Sequence, residues 1–254
     1  MHVRCFACDA RIDGPDLAAI ADAFLAHARE AHTWTYPETA LRNFACNYAE
    51  ATERVSRDVE RRDTIGPIAI HPVTPENLAD WQRFFDHDAF AGNPSWASCY
   101  CLEPHAPAPP EEPERPWRTT RTMMLERLAL GGAFGYLAYV DGRPAGWVNA
   151  SLRSDYRVFA DVGPDAPDGT TVIGLACFVV APPYRRHGVA AALLDRVIAD
   201  APARGAAWIE AYPHHTPEDG DAGHFRGPRS MFEVRGFVHA ADAERHAVLR
   251  LRVG

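Results

Sequence analysis

The chain has 254 residues, of which 47% are apolar, with a formal net charge of −8 at pH 7. That supports a packed core without disulfides, while the acidic balance excludes a general nucleic-acid surface. No apolar run reaches the ~18 residues of a membrane span, and the first residues lack the charged-then-apolar pattern of a secretion signal. Six cysteines, at 5, 8, 46, 99, 101 and 177, do not form the framework of a small secreted domain, so a cytoplasmic protein is expected. Every basic position is arginine, which codon bias explains more simply than function does.

The N-terminal segment carries ligand-type residues in pairs. Cys5 and Cys8 form C-x2-C ahead of a loop over 9–14, and PDLAAIADAFLAHAREAH (15–32) reads as a helix closed by His27 and His32. Two thiolates and two imidazoles at C-x2-C…H-x4-H match a tetrahedral zinc site in type and pair spacing. A closed set of four is structural, with no open position for chemistry. Residues 1–62 hold eight arginines against ten acids. That composition favours a docking or stabilising module over a DNA reader. A second helix is expected over 37–62, striped by Leu41, Phe44, Tyr48 and Val55 and broken by Gly66-Pro67. That break divides the chain into a zinc-finger-like helical module, 1–62, and a larger domain, 63–254.

The larger domain opens with a strand over 68–74, then a helix capped by Thr74 and running to about His87. Residues 91–117 are irregular. Trp96, Cys99, Tyr100, Cys101 and His105 sit there, and six prolines between 104 and 116 exclude regular structure. A helix over 118–130 precedes a hairpin of 134–140 and 144–152 turned at Asp141-Gly142. The following loop holds Asp155, Tyr156 and Asp161.

Next comes VIGLACFVVAPPYRRHGVAAALLDRVIAD (172–200). It reads as one buried strand to Val180, a stop at Pro182-Pro183, and a helix after Gly188. The first amides of a helix lack intrahelical partners and carry partial positive charge, so such a turn favours phosphate. Gly188 admits close backbone approach, and Arg185 and Arg186 add charge. A strand over 206–213 then carries Glu210 and Tyr212. His214, Glu218, Asp219 and Asp221 follow in a polar loop, and a short helix ends at Gly236 before two final strands.

Arg185-x-x-Gly188-x-Ala190 after a strand resembles the acetyl-CoA motif of the GNAT N-acetyltransferase superfamily, Q/R-x-x-G-x-G/A, and SMFEVRGF resembles its Y-E-x-x-G-F signature. The order of elements over roughly 65–253 is that of the family. The resemblance implies an α/β (α+β) GNAT fold, a central mixed twisted sheet flanked by helices, here preceded by a small helical zinc-binding module. It implies acetyl-CoA as co-substrate, held by Phe178, Val179, Val180, Arg185, Arg186, His187, Gly188, Val189, Ala190 and Ala191. It places the segment between the first two strands over the acceptor, so Trp96, Tyr100, His105, Asp155 and His214 are candidate acceptor contacts. Phe232 stands where many members carry the tyrosine that protonates the departing thiolate, and a phenyl ring cannot do so. Tyr100 and Tyr212 are therefore candidate acids, and Glu210 or the His214-His215 pair a candidate base.

The expected activity is direct acetyl transfer to a primary amine of a small molecule, of which an aminoglycoside-like antibiotic is one type. Two other readings are a peptide acetyltransferase docking through the zinc module and an acyl-CoA-sensing interaction protein without turnover. Neither nucleic acid nor membrane is an expected partner. A homodimer, or a protein partner bound through the N-terminal module, is compatible with the sequence.

Overall fold

A computed structural model describes residues 1–159, 162, 172–216 and 223–253. Asp161, Glu218, Asp219 and Asp221 lie outside the described residues. Among those described, no helix is long and apolar enough to cross a membrane.

The chain begins with β1 (His2–Arg4) and β2 (Arg11–Asp13), an antiparallel pair with Val3 opposite Ile12. The sequence had suggested only a loop before the first helix. Three-residue strands show too little alternation to be read. α1 (Leu17–Ala31) starts at Asp16, whose carboxylate accepts from the Ala19 amide at 2.9 Å. This is N-capping. α2 (Glu38–Arg54) ends at Arg54 rather than Arg62. Val55 turns extended there, and the Ser56 amide donates to the His87 carbonyl at 2.7 Å.

The larger domain follows as β3 (Ile68–Pro72), α3 (Leu78–Arg83), α4 (Trp117–Ala129), β4 (Gly135–Val140), β5 (Arg143–Asn149), β6 (Val172–Leu175), β7 (Cys177–Val180), α5 (Val189–Asp200), β8 (Trp208–Ala211), α6 (Arg229–Glu233), β9 (Val238–Asp242) and β10 (Ala247–Arg252). α3 starts four residues past Thr74 and continues into a π turn over Phe84–Asp88. Thr74 does not cap it; its amide instead donates to the Asn77 side chain at 2.8 Å. At the β4–β5 turn Asp141 and Gly142 have φ of 51° and 75°, the left-handed pair a tight hairpin requires.

The strand expected over 172–180 breaks at Ala176. β6 pairs parallel with β8 in the sheet β6-β8-β10-β9, whereas β7 pairs antiparallel with β5 in the sheet β3-β4-β5-β7. An apolar run shows burial but not the pairing partner. The two sheets therefore separate beyond β7, and that gap holds the candidate site.

α2 belongs to two cores. Leu41, Ala45 and Ala49 pack with Val3, Ile20 and Phe24 of the N-terminal module. Ala51 and Val55 join the main core with Trp81, Tyr100 and Trp147.

Candidate active site

A cavity of about 400 Å³ opens where β7 meets α5. Its walls include Phe178, Val179 and Val180 from the strand, Arg185, Arg186 and Gly188 from the turn, and Val189, Ala190 and Ala191 from the first turn of α5. Nine of the ten residues expected to hold a cofactor thus share one cavity. His187 is the exception, with Nε2 2.7 Å from the Arg62 carbonyl. Gly188 has φ of 80°, and a Cβ there would meet nothing within 4 Å. It serves the left-handed backbone of the turn and leaves the mouth clear. Arg186 also sits at positive φ, 64°. The first turn of α5 therefore borders the cavity with the helix dipole behind it, an arrangement suited to phosphate.

The free edge of β7 is partly engaged. The Phe178 amide donates to the Phe225 carbonyl at 2.6 Å, and Arg185 Nε donates to the Val180 carbonyl at 3.0 Å. By the two-residue alternation of a strand, the Val180 amide points the same way as that of Phe178, into the gap. Phe90, Asn93, His224, Phe225 and Met231 complete the cavity. None of these five had been singled out from the sequence, because each reaches the site through tertiary packing.

A second cavity of about 350 Å³ adjoins the first and shares Phe90, Trp96, Val179 and Phe225 with it. Trp96, an expected acceptor contact, therefore lines both cavities. Cys99, Cys101 and Cys177 line the second cavity, with Cys101 and Cys177 Sγ 3.0 Å apart. Burial pushes the Cys99 thiol up to about 12 and also raises that of Cys101 well above its ordinary value, so both remain protonated at neutral pH.

The remaining expected acceptor and catalytic residues line neither cavity. Tyr100 is fully buried; its hydroxyl donates to Asp86 Oδ1 at 2.5 Å and accepts from Arg54 Nη1 at 3.0 Å. Glu210 is fully buried, with Arg250 Nε at 2.6 Å, Arg153 Nη1 at 3.1 Å and the Tyr212 hydroxyl at 2.9 Å. Tyr212 stacks on Phe159 with ring centroids 3.9 Å apart. Burial raises both tyrosines well above the ordinary range. This geometry corrects the assignment of Glu210, Tyr212 and Tyr100 to proton transfer, since every one of these polar groups is spent on internal partners. His105 is likewise enclosed, bonded to the Asp155 carbonyl and Asn149 Nδ2, both at 3.0 Å. Burial lowers it to about 4, so it is neutral at neutral pH. Asp155 contributes that carbonyl rather than a contact to either cavity. His214 Nε2 accepts from Arg226 Nε at 2.9 Å. It lines a neighbouring cavity that meets the first at His224, Gly227 and Pro228. Phe232 is buried against Phe178 and Phe237, at centroid distances of 6.1 and 5.4 Å.

Away from these cavities, Cys5, Cys8, His27 and His32 bring four ligand atoms within 4.8 Å of one another. Cys5 Sγ lies 3.3 Å from His32 Nε2 and Cys8 Sγ 3.4 Å from His27 Nε2. A tetrahedron with Zn–S arms of ~2.3 Å and Zn–N arms of ~2.0 Å has edges of about 3.3–3.8 Å; the two Cys–His separations above fall in that range, and the widest of the six stays within 4.8 Å. The histidines lie five positions apart, an awkward spacing on one helix. It works because α1 stops at Ala31 and His32 is extended, with φ of −138°.

No curated protein matches the chain. Several solved structures are similar to it. The GNAT domain of S. lividans PAT is 17% identical over 74% of this chain and 91% of its own, with a TM-score of 0.47. The PaiA N-acetyltransferase from Thermoplasma acidophilum, in complex with coenzyme A, is 12% identical over 73% and 99%, with a TM-score of 0.46. An N-acetyltransferase from Staphylococcus aureus Mu50 is 14% identical over 74% and 100%, with a TM-score of 0.45. Residues 95–220, which span the second cavity, the hairpin, the phosphate turn and β8, match the model of the Acetyltransferase (GNAT) family. The chain therefore carries an acetyltransferase domain of the GNAT family and is a transferase of acyl groups.

Proposed function

We propose that the protein transfers the acetyl group of acetyl-CoA directly to a primary amine of a small molecule. The observation that carries this reading is the junction of the two cavities. One is built for a phosphate at α5 and a strand-like arm along β7, and the other opens beside the β7 end of the first. In this reading the amides of Gly188 to Ala191 take the pyrophosphate and the Val180 amide pairs with the pantetheine arm. The amine enters from the second cavity, past Trp96 and Cys177. Its nitrogen attacks the thioester carbon, the C–S bond breaks, and CoA leaves as thiolate while the amine gives up a proton. Phe232 cannot protonate that thiolate, and no tyrosine among the described residues lining the junction substitutes for it except Tyr184, at the far, phosphate end. The thiolate therefore leaves unassisted by a phenol, or takes its proton from water.

Calorimetric titration with acetyl-CoA, CoA and dephospho-CoA tests the donor. Micromolar binding is expected, and no binding by folded protein overturns the reading. Release of free thiol on adding amines then tests transfer.

We further infer that Cys5, Cys8, His27 and His32 hold one structural zinc, supported by the convergence of their four ligand atoms within 4.8 Å. The ion would fasten β1 and the adjoining turn to the end of α1. Elemental analysis should give one zinc per chain, and the Cys5→Ser/Cys8→Ser double variant should carry none. A metal-free protein with an unchanged melting temperature would remove this assignment.

A further inference from the structure

Apolar groups and thiols make up much of the second cavity's wall, Trp96, Leu102, Phe225 and Cys177 among them, and two carboxylates line it: Glu103, which is exposed and accepts from the Ala108 amide at 3.3 Å, and Glu114, which is half-buried. Glu114 is held from two sides. Its Oε1 accepts from Asn47 Nδ2 at 2.6 Å and from Ser98 Oγ at 2.9 Å. Asn43 Nδ2 also donates to its backbone carbonyl at 2.9 Å. Both donors to Oε1 are neutral, and among the described residues no ion pair involves Glu114. Arg115, the neighbouring cation on the cavity wall, directs Nη1 and Nη2 to the Ala106 and Pro107 carbonyls at 2.8 and 2.9 Å. Burial pushes the Glu114 carboxyl up, against the pull of its two hydrogen bonds. A half-desolvated carboxylate with one oxygen fixed and no counter-charge is costly to leave unpaired. A primary ammonium, compact and carrying three donors, would offset that cost.

We infer that Glu114 is the specificity-determining carboxylate of this cavity. It selects a cationic primary amine with an apolar body, and Asn47 of α2 acts as its positioning residue. The inference rests on the reading of the second cavity as the acceptor site, and it gives the N-terminal module a part in substrate choice. Asn47 is suited to that part. Besides Glu114, its side chain donates to the Arg115 carbonyl at 2.7 Å and accepts from the Trp117 amide at 2.9 Å. It therefore fixes the chain on both sides of the carboxylate.

The test compares 2-phenylethylamine with its neutral counterpart 2-phenylethanol, by calorimetry or ligand-observed NMR on the full chain. The amine should bind at least about tenfold more tightly, by charge pairing in a desolvated site. Glu114→Gln, nearly isosteric, should abolish the preference while leaving acetyl-CoA affinity unchanged, which also shows that the variant is folded. Asn47→Ala should reduce the amine-to-alcohol ratio several-fold; a purely structural role would lower the melting temperature without moving that ratio. Equal binding of the two probes, no binding of either, or an unaltered preference in Glu114→Gln overturns the inference. Failure of acetyl-CoA to bind, with the amine preference intact and lost in Glu114→Gln, would instead sink the acyl-transfer reading and leave the cation site standing.

Discussion

The turn before α5 and the second cavity adjoin, but they are built on opposite plans. The turn comes from one unbroken stretch, β7 to the first turn of α5, and its chemistry is that of backbone amides. The cavity beside it draws Phe90, Trp96, Glu114, Cys177 and Phe225 from distant parts of the chain, and its chemistry is that of side chains. Binding a feature common to all donors needs only local geometry. Choosing among acceptors needs side chains brought together by the whole fold. The N-terminal module meets the second cavity through Asn47, which bonds Glu114, while Arg54 joins it to the main core at Tyr100, the Asp86 carbonyl and the Ala97 carbonyl.

This contrast can be broken at several points. The largest expected effect is structural. Glu210→Ala leaves Arg153 and Arg250 buried without their shared carboxylate and should cost about 3–5 kcal/mol, seen as a drop of roughly 10 °C in melting temperature. The folded fraction should keep its acetyl-CoA affinity; a stable variant that had lost turnover would return Glu210 to the chemistry. Next comes the turn itself. Gly188→Glu forces a side chain onto a left-handed backbone and sets a carboxylate at the phosphate site. Acetyl-CoA affinity should fall more than ~100-fold, about 2.7 kcal/mol, with only a modest drop in melting temperature, since the left-handed backbone costs a side chain about 1–2 kcal/mol while its Cβ meets open space. Unchanged affinity would mean that the turn holds no phosphate.

The smallest effect is on pH dependence. His105 in the fold titrates near 4, below the ordinary 6.5. The unfolded chain therefore binds the extra proton first as pH falls. Its contribution is complete above 6.5 and is lost progressively down to about 4, at up to about 1.4 kcal/mol per pH unit. His246, also lowered to about 4 by burial, acts in the same direction. Urea midpoints measured between pH 6.5 and 4.5 should decline less steeply in His105→Asn, and an identical slope would show that His105 is not held neutral.

The sequence made the phosphate turn legible because the motif, the strand before it and the helix after it are all contiguous. The pairing of Cys5, Cys8, His27 and His32 was legible for the same reason, although the exit of His32 from α1 was not. The order of elements from β3 to β10 was readable from apolar periodicity and turn residues. The failures share one cause. Glu210 was of a suitable type for a base, but its place opposite Arg250 in the β8–β10 ladder depends on register, which no local pattern reveals. Ala176 carries no mark of a strand that changes sheets. Glu114 sits in a proline-rich stretch whose only readable property was irregularity, and its donors lie in other segments.

α2 has one end in each core, which bears on how the molecule can be divided. Cutting the chain after residue 62 would remove Ala51 and Val55 from the main core and strip Trp117 of its Glu50 partner at 2.6 Å. The transferase domain would then expose apolar surface that belongs to its own interior. The N-terminal segment cannot be treated as a detachable tag: a shortened gene encoding only the family-like portion should yield aggregated protein, and an ancestor lacking this segment would have needed a different covering for that face.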